Sequence, residues 1–129
     1  MSDGGVVFDA SALLALLNAE PGGDVADGFV GNAAISSVNW CEAYGKLRAR
    51  GVEAAPLSAE MAETVIAVLQ FDEDDARHAG ELLMATRSVG LSLADRACLA
   101  LAARLGVPAV TADRAWVDLD VGVEVVCIR

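Results

Sequence analysis

Short apolar, β-branched runs alternate along this chain with longer stretches of helical period, and that alternation limits the fold more than any other feature. Val6 to Phe8, Ala33 to Ser36, Val68 to Gln70, "VPAVTAD" from Val107 and "VEVVCI" from Val123 read as five short strands. Between them lie "SALLALLNAE", closed by "PGG" at Pro21 to Gly23, and a short helix over Asp24 to Val30. A helix capped by Ser36 or Ser37 follows; it runs through "VNWCEAYGKLRAR" and ends at Gly51. Pro56 is expected to bar anything longer, and Ser58 with "AEMAE" to start the next helix. "DEDD" at Asp72 to Asp75 opens a helix reaching to about Arg87, where acids in the first turn complement the helix dipole. "SLADRACLALAARLG" is capped by Ser92 and closed by Gly106. Strands alternating with helices predict an α/β fold, and one domain over residues 1–129.

At 55% hydrophobic residues the chain has ample material for a core, and no apolar run approaches the ~18 residues of a membrane span. The opening "MSDGGVVF" has no basic residue ahead of an apolar region, unlike a secretory signal. Cys41, Cys98 and Cys127 lie far apart among apolar residues, without zinc spacing. They read as buried thiols of a reducing cytoplasm.

Two of the strands end alike, "VVFD" at Asp9 and "VTAD" at Asp113. If the sheet is parallel, both carboxylates lie on one edge, where such sheets place ligands. Two further acids sit within apolar helices: Glu42, sharing a face with Val38 and Gly45, and Asp95, in the first turn of its helix. Each has a plainer reading: a helix cap for Asp9, a dipole partner for Asp95, a solvent-facing side chain for Glu42, a turn residue for Asp113. Nine Lys and Arg cannot pair with all nineteen Asp and Glu, and a converging carboxylate cluster needs cations. Mg²⁺ or Mn²⁺ suits such hard oxygen ligands.

Together, "VVFDASALLALL", "ISSVNWCEAYGKL", "LSLADRACLALA" and "VPAVTADRAW" resemble the four acidic motifs of PIN-domain nucleases, and more narrowly of VapC toxins. The resemblance implies a three-layer α/β/α sandwich around a parallel sheet of about five strands, and a metal-dependent endoribonuclease. It puts Asp9, Glu42, Asp95 and Asp113 in the acidic site, as catalytic residues and ligands of Mg²⁺ or Mn²⁺. Partners implied are RNA, a small antitoxin with a basic segment and a second copy in a homodimer; a Trp40, Ala43, Leu47 stripe away from Glu42 hints at the last. A non-toxin PIN ribonuclease of RNA processing, or an inactive PIN-like binding module, remains an alternative.

Ser11 and Thr111 adjoin the acids and fit either support of the site or ordinary capping. Arg96 and Arg114 each follow a site acid and fit either a phosphate contact or a salt bridge, the commoner role. His78 is expected at the surface. A receiver domain would need a lysine after a late strand, but the only lysine is Lys46; an Asp-nucleophile phosphatase would want an acid where Ser11 stands. The net charge of −10 disfavours a general nucleic-acid binder and favours a basic partner.

Overall fold

The computed structural model describes residues 5–129, so the reading of the first four as unlike a secretory signal lies outside the described residues. Five parallel strands form one sheet in the order β3-β2-β1-β4-β5. They are β1 (Val6–Phe8), β2 (Ala33–Ser36), β3 (Ala67–Leu69), β4 (Ala109–Thr111) and β5 (Val125–Cys127). The helices are α1 (Ala10–Leu17), α2 (Gly23–Asp27), α3 (Ser37–Ala49), α4 (Ala54–Glu63), α5 (Glu73–Ala85) and α6 (Leu93–Leu105). None is long and apolar enough to cross a membrane among the described residues.

Successive strand residues point to opposite faces, and the core divides accordingly. Val6, Phe8, Ile35 and Val110 pack with Leu13, Leu14, Ala43, Leu47, Leu57 and Met61, so α1 to α4 supply the helices of one face. Val7 and Ala109 pack with Leu82, Cys98, Leu99, Leu101 and Trp116, so α5 and α6 cover the other. This is the expected α/β/α sandwich. β1 at the centre pairs with β2 on one side and β4 on the other. The strand order reverses between β1 and β4, and the carboxyl ends of strands flanking such a reversal are where parallel sheets commonly bind ligands.

Several local expectations change. α4 begins at Ala54, four residues before Ser58, and takes Pro56 into its first turn. Proline is tolerated there, because the N–H it lacks would have no helical partner. Cys41 is exposed and Cys127 half-buried; only Cys98 is fully buried. Position 41 lies on the outward side of α3, while Ala43 and Leu47 point into the core. Trp40 packs against that same core and meets Tyr44 edge-to-face, with ring centroids 5.5 Å apart. The Trp40 stripe is thus the inner face of α3, not a second apolar face awaiting a partner.

Candidate active site

Asp9 follows β1 directly. Its backbone N–H donates to the Val110 carbonyl at 3.0 Å, which joins it to β4. Its side chain caps α1: Oδ1 accepts the Ala12 N–H at 2.8 Å. The plain reading of Asp9 as a cap therefore holds, but it is incomplete. The Ser11 hydroxyl also donates to Oδ1, at 2.7 Å, and the Thr111 hydroxyl donates to Oδ2, at 2.6 Å. Both hydroxyls accept in turn, Ser11 from the Ala112 N–H at 2.9 Å and Thr111 from the Asp113 N–H at 3.0 Å. Two relays thus stitch the start of α1 to the end of β4 through one carboxylate.

That carboxylate is only 4% exposed. Burial pushes its pKa from 3.8 to about 6, against the pull of the three hydrogen bonds, and the charge of Asp95 raises it further. Asp95 closes a capping box with Ser92: its Oδ2 accepts the Ser92 N–H at 3.0 Å, and its own N–H donates to Ser92 Oγ at 3.1 Å. The Cys98 thiol, one turn on and wholly buried, is held well above its ordinary value by burial and then by Asp9 and Asp95. Asp9 and Asp95 therefore act on one region.

The other two acids stand further out. Glu42 is half-buried on α3 and pairs with Lys46 at 3.3 Å, one helical turn on. With Lys46 that exposed, the pair is worth little. Asp113 lies two residues beyond the end of β4, exposed, and caps a short 3₁₀ turn by accepting the Ala115 N–H at 2.9 Å. The strand-end placement expected of Asp113 is corrected accordingly.

Among the described residues no three acidic, His or Cys side chains gather closely enough to enclose an ion. The donor chemistry nonetheless fits a hard cation. Asp9 keeps acceptor capacity beyond its three hydrogen bonds, and among the described residues no Lys or Arg pairs with Asp9, Asp95 or Asp113.

The two arginines make no ion pair among the described residues. The Arg96 Nη1 donates to the Ala79 carbonyl at 2.8 Å, and Arg114 Nε to the Arg129 carbonyl at 3.3 Å. Arg96 is thereby tied to α5 and not to the rim. His78 is half-buried on α5. Sequence reasoning missed Asn39, buried on α3, whose Nδ2 donates to the Ala94 carbonyl at 2.9 Å beside Asp95. Its only signal was a polar side chain three residues before Glu42 in an apolar stretch.

A family model described as "PIN domain" matches residues 6–122. The chain belongs to the PIN-domain family. A sequence comparison with curated proteins returns no match. Solved structures that this PIN domain resembles include a toxin-antitoxin complex from Klebsiella pneumoniae, at 20% identity and a TM-score of 0.73, covering 96% of this chain and 98% of that one. DNA-bound VapBC from Salmonella typhimurium is similar at 18% identity, TM-score 0.69, covering 97% and 98%. VapBC2 from Rickettsia felis, bound to a promoter DNA fragment, is similar at 14% identity, TM-score 0.69, covering 95% and 97%. At these identities the likeness is one of fold.

Proposed function

We propose that this single PIN domain is a metal-dependent endoribonuclease that cleaves RNA phosphodiester bonds and acts as the toxin of a VapBC-type pair in the cytoplasm. The observation that carries the reading is Asp9: a buried carboxylate at the switch point of a parallel sheet, held by two hydroxyls and a backbone N–H, with no Lys or Arg paired to it among the described residues. A purely structural cap needs one hydrogen bond and no burial. The toxin assignment draws support from the toxin–antitoxin assemblies whose fold the chain shares.

Asp9, Asp95, Asp113 and Glu42 would hold Mg²⁺ or Mn²⁺. The bound ion would acidify a water and stabilise the negative charge that develops on the phosphate. The chain's own residues set the conditions for this. Ser11 and Thr111 fix both oxygens of Asp9 and stabilise its ionised form, so a burial that disfavours ionisation still leaves a carboxylate near neutral pH. Asp95 adds negative charge to the same region, with one of its carboxylate oxygens held by the Ser92 N–H. Glu42 and Asp113, more open to solvent, would orient water or the ion's hydration shell. Arg114, exposed beside Asp113, is a candidate phosphate contact, whereas Arg96, equally close to a rim acid in sequence, is tied to α5.

The net charge of −10 suits an antitoxin that carries Arg or Lys into this acidic region. The direct test is incubation of the purified chain with single-stranded and looped RNA, with Mg²⁺ or Mn²⁺ and with excess EDTA. Cleavage only with the ion supports the reading; cleavage unaffected by chelation, or none under any condition, rejects it.

A further inference from the structure

Asn39 sits where α3, which carries Glu42, meets the first turn of α6, which carries Asp95. It is 1% exposed, and its Nδ2 donates to the Ala94 carbonyl, the residue preceding Asp95 in the chain. Its Oδ1 is buried and has no partner among the described residues. A buried amide that leaves its carbonyl unpaired is costly, and an apolar side chain of similar size would avoid that cost. Packing alone therefore does not account for an asparagine here. Asn39 lies three residues before Glu42, so the two share one side of α3. The Asn39–Ala94 hydrogen bond is a side-chain tie between the helices that carry these two acids.

We infer that Asn39 is a positioning residue: its amide fixes the spacing of Glu42 on α3 and Asp95 on α6, and so the affinity of the acidic rim for a divalent ion. The inference rests on the nuclease reading of those acids and concerns how they are held. Asn39→Leu separates this role from packing, because it keeps the volume and removes both the tie and the unpaired carbonyl.

The experiment measures Mn²⁺ binding by calorimetry, melting without metal, and kcat and KM for RNA cleavage, on the wild-type chain and Asn39→Leu. The expected result is metal-free melting at or above the wild-type temperature. Mn²⁺ affinity and kcat should each fall by about 10- to 100-fold, the range for residues that orient metal ligands, with KM for RNA little changed. A folded Asn39→Leu chain with wild-type Mn²⁺ affinity and kcat overturns the inference and leaves the nuclease reading standing. A wild-type chain that neither binds Mn²⁺ nor cleaves RNA overturns both. Should Asn39→Leu fail to fold, Asn39→Ser is read on the same three measurements, with the same two outcomes deciding.

Discussion

The Thr111 hydroxyl donates to Asp9 Oδ2 at 2.6 Å across 102 positions of sequence, and that bond joins the ends of β1 and β4. Thr111 is fully buried, and its Oγ1 also accepts the Asp113 N–H. A single hydroxyl thus orients one acid through its side chain and another through its backbone.

Replacing Thr111 with valine keeps the shape and removes that hydroxyl. Stability should fall by about 1–3 kcal/mol, since Asp9 Oδ2 loses a donor in a buried setting. Cleavage should fall by about 10- to 100-fold, as for other groups that orient metal ligands. The pH dependence of cleavage should also move to higher pH, because a bond that favours ionised Asp9 is gone. Chemical denaturation and a pH–rate profile on the same preparation check the three effects.

Asp9 also makes metal-free stability depend on pH in a definite direction. Its folded pKa of about 6 lies above the ordinary 3.8, so the folded chain holds a proton across that interval which the unfolded chain releases. Stability from this group is therefore greatest below the unfolded value and is lost as pH rises through about 6, by about 3 kcal/mol in all. Melting in EDTA across that range should show the wild-type chain losing ground to Asp9→Asn as pH increases. A constant difference between the two would remove the claim. Cleavage at limiting Mg²⁺ should run the other way and increase with pH, because the ionised carboxylate is the form that binds a cation.

Much of this arrangement was legible in the sequence. β1, β2 and α6 were readable because apolar runs there meet unambiguous punctuation: Asp9 after Phe8, Ser36 before α3, Ser92 and Gly106 around α6. β3 was harder to see. It is an edge strand whose Ala67 and Val68 are exposed, so burial imposes little pattern on it. Pro56 misled because a proline reads as a stop unless the preceding turn is known to be a helix start. The four acids could be picked out by residue type and position, whereas their supporting contacts could not. The Thr111–Asp9 bond and the Asn39–Ala94 bond join residues 102 and 55 positions apart. Only the parallel pairing of β1 with β4 and the packing of α3 on α6 bring them together.

Association with a second copy is expected in solution. The inner face of α3 is spent on the core, so a contact surface must lie elsewhere; Leu83, Met84 and Leu93 on α5 and α6 are exposed apolar side chains. Light scattering at micromolar concentration should give the mass of a dimer. A stable monomer there would contradict this part of the account.

Expression of the intact chain alone should arrest growth, and co-expression of its basic partner should restore it. Raised salt should slow their association, since opposite net charges steer the encounter. Growth unaffected by the intact chain would point to a housekeeping ribonuclease or an inactive module.

The central claim is that Asp9 holds a metal ion as well as capping α1, and Asp9→Asn separates the two roles. Asparagine caps a helix about as well as aspartate, so the bond from the Ala12 N–H should survive. The measurement is RNA cleavage in Mg²⁺, paired with metal-free melting of the same variant. The account predicts cleavage reduced by orders of magnitude, with melting near neutral pH equal to the wild type or higher because a buried charge has gone. Near-wild-type cleavage by a folded Asp9→Asn chain would contradict it.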